Sequence, residues 1–94
     1  MSSTANHHCP CCGYRTLREK PPGTFQLCPV CFWEDDSVQF DDHSYEGGAN
    51  RPSLNQARRS FEKCGACAKR FKDQVRMPKK KEDREAPWIE SGAA

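Results

Sequence analysis

No apolar run in this 94-residue sequence is long enough for a membrane helix or a signal-peptide core. The expectation is a chain that stays in the reducing cytoplasm, where disulfides are rare. Apolar residues are scarce throughout, at 35% hydrophobic. A strong net charge is missing too. The total is only +2, which by itself argues for no particular partner. The charge is split, however. Residues 1–50 carry three basic and seven acidic side chains, and residues 51–94 carry twelve and six. No Ser or Lys stands in a recognisable catalytic setting, and the acidic residues do not follow a calcium-loop spacing. No internal repeat is present beyond two short Cys-Pro pairs.

Both ends read as unstructured. Residues 1–8 are small and polar with two histidines, and residues 79–94 form a charged tail without apolar period. About 70 residues, 9–78, remain for a domain. A core of that size is marginal on apolar burial alone and needs a staple. Seven cysteines are present: Cys9, Cys11, Cys12, Cys28, Cys31, Cys64 and Cys67. Four of them follow C-x2-C-x15-C-x2-C, with Cys-Pro-x-Cys at both 9–12 and 28–31. Two such turns folded together place four thiolates tetrahedrally about 2.3 Å from a zinc ion. Cys9, Cys12, Cys28 and Cys31 are therefore the expected ligands of one structural zinc. Cys11 adjoins Cys12, points away from it, and is left as a spare thiol. A disulfide framework and a rubredoxin-like iron site are the competing readings. A rubredoxin pattern would end both knuckles in Gly and have a longer spacer. Here Gly13 follows the first pair and Phe32 the second, so the knuckles are expected to differ. Four protein thiolates close the site and leave no position for metal catalysis.

The stretches YRTL and TFQL flank EKPPG, with Pro22-Gly23 suited to a type II turn. They predict a β-hairpin joining the two knuckles. The segment 34–52 is acidic and then Gly-rich, with VQF as a short strand and the rest loop. Ser53 to Gln56 has the form of a capping box. Leu54, Ala57, Phe61, Cys64, Ala68, Phe71 and Val75 then repeat at three- and four-residue steps. This predicts one helix over about 53–76, ended by Pro78. The fold class expected is a small α+β metal-stapled domain. A zinc-ribbon-like hairpin or three-stranded ribbon packs on one C-terminal helix. Its core is Phe25, Phe32, Trp33, Leu54, Phe61, Ala68 and Phe71.

Other residues invite a role. Cys64 and Cys67 form a CxxC within the predicted helix. They read as small core hydrophobes, against a second metal site completed by His7 and His8 or a redox pair. Cys11 beside a metal could be a reactive thiol, against simple packing near the knuckle. The acidic run around Trp33, Phe40 and Tyr45 reads as a solvated loop or as a surface for a basic protein partner. Asp35, Asp36, Asp41, Asp42 and Tyr45 are the partner-binding candidates. The basic helix residues could meet nucleic acid. However, Glu62 and Asp73 lie between them, at i, i+4 from Arg58 and Lys69, and favour a face laced by ion pairs.

The stretches CPCCGY (9–14), PPGTFQLCPVCFWEDD (21–36), VQF (38–40), GGAN (47–50), SLNQAR (53–58), GAC (65–67) and VRMP (75–78) resemble the cysteine-rich CPCC proteins. The resemblance covers about residues 9–78. It implies a zinc-ribbon-like domain with a C-terminal helix, no established activity, and members near toxin and defence loci. It also implies that Cys67, within GAC, is the second notable spare thiol beside Cys11. The leading functional expectation is a zinc-binding, non-enzymatic protein-interaction module, of the immunity or antitoxin type, that uses the acidic loop. The alternatives are a nucleic-acid-binding zinc ribbon, and a thiol redox protein or small enzyme built on Cys11, Cys67, Asp41 or His43.

Overall fold

Each Cys-Pro pair sits at the tip of its own antiparallel loop. The computed structural model describes residues 6–88. Strands β1 (His7–His8) and β2 (Arg15–Leu17) pair antiparallel, with His7 opposite Leu17 and His8 opposite Arg15. They bracket the first pair. A bridge between Leu27 and Glu34 brackets the second. Helix α1 (Ser37–Asp41) and helix α2 (Leu54–Cys64) follow, then a 3-10 turn at Lys69–Phe71. The core is Leu17, Val30, Trp33, Leu54, Ala57 and the buried cysteines, with Phe32, Phe61, Ala68 and Phe71 packed against it.

Several sequence expectations change. The YRTL half of the predicted hairpin is indeed strand, but it pairs with His7–His8 and not with TFQL. The sheet of the described residues thus has the two strands of a hairpin and not those of a three-stranded ribbon, and includes part of the segment 1–8 that was expected to be disordered. TFQL cannot be regular strand because Phe25 takes a left-handed backbone, φ 59°. Its N–H donates to the Asp35 carbonyl, and Asp35 N–H donates to Gln26. Phe25 is correspondingly 61% exposed and is not a core residue. VQF is helix, not strand, because Asp36 Oδ1 caps it by accepting from Val38 N at 2.8 Å.

The single long helix is broken. The capping box is present, with Ser53 and Gln56 bonding each other's backbone N–H. But Gly65 adopts φ 82°, and its N–H closes on the Phe61 carbonyl at 2.8 Å. This left-handed cap ends α2 after 11 residues. The apolar rhythm continues past it because the 3-10 turn delivers Phe71 to the same core, 4.6 Å from the Phe32 ring.

The charged tail is packed as far as Trp88; the rest of the expected flexible segment, residues 89–94, lies outside the described residues, as do residues 1–5. Arg76 grips the buried Glu82 with two nitrogens, at 2.9 and 2.8 Å. Arg15 N–H then donates to Asp83 O, and Glu85 N–H donates to Gly13 O at 2.8 Å. An apolar period is absent here because backbone and ion-pair bonds hold the segment.

Two glycines should behave differently on substitution. A Cβ on Gly65 meets nothing, so Gly65→Ala carries only the left-handed strain, about 1 kcal/mol. A Cβ on Gly13 would lie 2.6 Å from the Glu85 carbonyl oxygen. Gly13→Ala should therefore also dislodge the tail, at about 2–4 kcal/mol. Urea melts of the metal-loaded variants compare them, and equal costs would mean that the tail contact stabilises nothing.

Candidate metal centre

The two Cys-Pro loops match bond for bond. Cys9 N–H donates to Tyr14 O at 2.9 Å and Gly13 N–H to Cys9 O at 2.8 Å. Cys28 N–H donates to Trp33 O at 2.9 Å and Phe32 N–H to Cys28 O at 2.7 Å. Gly13 has φ 82° and Phe32 φ 73°. The expected difference between the knuckles is thus absent from the backbone. Phe32 takes the glycine conformation at a cost of about 1–2 kcal/mol, offset by its ring packing against Phe71.

These loops aim four sulfurs at one point. Sγ of Cys9 lies 3.6 Å from that of Cys31, and Sγ of Cys12 lies 3.7 Å from that of Cys28. All four lie within 4.8 Å of one another and are buried. The edge of a tetrahedron with metal–sulfur bonds of about 2.3 Å is about 3.8 Å, so the cage fits a zinc-sized ion. A disulfide needs about 2.05 Å, and all seven cysteines are free. Cys9, Cys12, Cys28 and Cys31 form a single metal site.

Without a cation, four buried sulfurs oppose one another's ionisation. Burial pushes the Cys9 and Cys31 thiols well up, and the neighbouring Cys28 and Cys31 sulfurs hold Cys12 up. Burial opposes charge on Cys28 as well, but bonds from Cys12, Cys31, Cys9 and Thr16 outweigh it and draw its pKa down. A divalent ion lets all four ionise, so metal affinity must fall as pH falls. Two donors already face the sulfurs. Cys11 N–H lies 3.4 Å from Cys9 Sγ, and the buried Thr16 Oγ1 lies 2.9 Å from Cys28 Sγ. Toward a thiolate the Thr16 hydroxyl is the donor.

A family model for cysteine-rich CPCC proteins matches residues 7–82. The chain belongs to the cysteine-rich CPCC family. No curated protein matches it. The matched span runs past the expected boundary at residue 78 and ends on Glu82, the residue that anchors the tail.

The C-terminal half of the CPCC domain clasps both knuckles at equivalent carbonyls. In the first, Pro10 O accepts from Arg58 Nε at 2.9 Å and Cys12 O from Arg84 Nε at 2.7 Å. In the second, Pro29 O accepts from Arg76 N–H at 3.1 Å and Cys31 O from Cys67 N–H at 2.7 Å. None of these four donors was foreseen. They bond backbone carbonyls far away in sequence, and neither periodicity nor spacing registers such contacts. Arg58 also stacks over Trp88, 3.9 Å from the ring centroid. Burial lowers its pKa, against the pull of Cys11 and Cys9.

Both spare thiols, Cys11 and Cys67, lie in the buried cluster around the site. Burial, followed by Cys11 and Cys28, pushes the Cys67 thiol up to about 12, so it is protonated at neutral pH. Cys64 is half-buried against Ser60 Oγ and the Ala66 carbonyl. Among the described residues no other group of Cys, His, Asp and Glu converges as metal ligands do. His7 and His8 therefore do not complete a site with Cys64 and Cys67.

The acidic candidates divide. Asp35 is fully buried and accepts from Thr24 N at 2.9 Å and Thr24 Oγ1 at 2.7 Å. Asp36 is buried as the α1 cap and accepts from Ala49 N at 2.7 Å. Neither can be offered to a partner. Asp41, Asp42 and Tyr45 are exposed. Asp42 holds Ser44, whose side-chain and backbone bonds draw its pKa down. His43 lies edge-on to Phe40 at 5.9 Å.

The tail anchor should respond to acid. The Arg76 guanidinium holds Glu82 below the usual carboxylate range. A depressed carboxylate adds stability above its unfolded pKa, about 4.3, and loses it as pH falls through the folded value. On lowering the pH, the Lys79 and Glu82 amide NMR signals should shift below that unfolded value. Glu82→Gln should already show the shifted positions at neutral pH. Identical wild-type and variant spectra at neutral pH would mean that the pair does not hold the tail.

Proposed function

We propose that this CPCC domain is a non-catalytic binding module held together by one structural zinc ion. The closed, buried cage of four sulfurs carries this reading. It leaves no coordination position for water or substrate, and its dimensions suit zinc. Zinc, the d10 ion, gives a colourless protein with one metal per chain. A coloured protein with iron charge-transfer bands would replace zinc by iron. Among the described residues no helix is long and apolar enough to cross a membrane.

The protein-docking part of this reading now rests on Asp41, Asp42 and Tyr45, because Asp35 and Asp36 serve the fold. A basic protein partner would meet these three on the rim of α1 and the loop that follows it. Co-purification from the native host tests this. Asp41→Lys with Asp42→Lys should abolish capture of the partner and leave zinc content unchanged. Undiminished capture would remove the acidic loop from the function.

A further inference from the structure

We propose that the face formed by α2, the 3-10 turn and the chain at 75–78 binds single-stranded nucleic acid. Phosphates would lie in a basic groove, and bases would enter an adjoining apolar cleft. The proposal rests on the binding-module reading and names a partner for a surface that does not include Asp41, Asp42 or Tyr45.

The groove, of about 450 Å³, is lined by Arg59, Lys63, Lys69 and Lys72, with Gln56 and Ser60 as neutral donors. No carboxylate lines it. The ion-pair lacing expected from the sequence is not formed among the described residues. Glu62 bonds to Arg84 instead of Arg58, and the remaining salt bridges belong to His8, Arg15 and Arg76. Four cations thus line one concave space without an ion-pair partner among the described residues, and the one carboxylate bonded to the lining, Glu46, is held by Gln56 Nε2 at 2.9 Å. Such a concentration of one sign draws an anion and repels itself without one.

The next cleft, of about 360 Å³, shares Cys64 and Lys72 with the groove, so the two adjoin. Its walls include Tyr14, Val30, Phe61, Val75 and Met77. The Tyr14 and Phe61 rings meet edge to face at 6.2 Å, and Arg84 lies near both centroids, at 5.2 and 5.4 Å. Met77 is 83% exposed at the rim. Charged groove and aromatic pocket in series are the two elements of single-strand recognition. A duplex offers the phosphates, but its bases are stacked inside and cannot enter the cleft. A polyglutamate peptide offers charge without flat apolar rings. A flat anionic bilayer does not fit a concave site.

The test uses the full zinc-loaded chain and fluorescence anisotropy of labelled single-stranded DNA and RNA of about twelve nucleotides. A duplex of the same sequence is the comparison. Between about 50 and 200 mM KCl, the plot of log K against log salt should have a slope of about −2 to −3, as expected for three or four phosphates. Lys63→Gln with Lys69→Gln should weaken binding roughly tenfold and flatten the slope by about 1.4. Met77→Ser should weaken single-strand binding and leave the slope unchanged. Asp41→Lys with Asp42→Lys should not weaken it, which separates this surface from the loop. The proposal is overturned by any of three results: no binding at the lower salt, equal affinity for the duplex, or equal competition by a polyglutamate peptide. If these occur while the loop variant loses a protein partner, the module reading survives without nucleic acid.

Discussion

Stripping the metal should unfold the domain completely. Coordination of a structural zinc in small domains supplies about 10–16 kcal/mol, as much as the whole stability of a typical domain, about 5–15 kcal/mol. Little else here could hold the chain. The sheet is two short strands. Helix α2 has 11 residues, below the length at which an isolated helix persists in water. Six of the buried apolar residues are cysteines at or near the cage. A strong chelator should therefore abolish both the far-UV helical signal and the dispersion of the amide NMR spectrum, and added zinc should restore them. Cys9→Ser should resemble the stripped protein, whereas Cys11→Ala should stay folded with zinc bound. A metal-free chain that keeps a dispersed spectrum would show that apolar packing suffices.

The second large effect should come from Gln39, a residue with no part in the metal site. It is fully buried. Its Nε2 faces the carbonyls of Tyr45, Asn50 and Pro52 at 3.0, 3.1 and 2.9 Å, so two protons serve three acceptors. Its Oε1 accepts from Asn50 N at 3.1 Å and Asn50 Nδ2 at 3.0 Å. Asn50 in turn bonds both backbone groups of Glu34, beside the second knuckle. The loop at 45–52 is thereby fastened to the metal-binding chain. Gly48 fits beside Gln39 because it lacks a Cβ, which would lie 2.6 Å from Asp36 Oδ2 and 2.9 Å from the Gln39 side chain. Gln39→Leu keeps the bulk but strands these groups, at about 3–4 kcal/mol after partial rescue by water. Amides at 45–52 should lose hydrogen-exchange protection first. The neighbour Val38, 53% exposed, should change stability by less than about 0.5 kcal/mol on mutation to Ala. A Gln39→Leu cost below about 1 kcal/mol would show that the loop satisfies itself.

The four ligands were legible because tetrahedral coordination imposes a spacing on the chain. The start of α2 was legible because a capping box is complete within four residues. Features that depend on distant partners were not. Alternation identified Arg15–Leu17 as extended but could not say that His7–His8 would be its partner. The apolar rhythm overran Gly65 because Ala68 and Phe71 reach the same core by another route. Phe32 carries no cue for a left-handed backbone; the Phe71 ring supplies the compensation from far along the chain. The Asp36 to Gln39 spacing did carry a helix-start signal, an acidic cap with Gln three residues on, but VQF reads equally well as strand. Asp35 and Asp36 resembled a surface because their partners, Thr24 and Ala49, lie outside the acidic run.

The most direct test of the central claim is X-ray absorption at the zinc edge, combined with metal analysis of the native chain. One zinc per chain and four sulfur neighbours at about 2.3 Å are expected, with all four retained in Cys11→Ala and the stoichiometric zinc lost in Cys9→Ser. A site with a nitrogen or oxygen neighbour in the native protein, or a folded chain without metal, would contradict it.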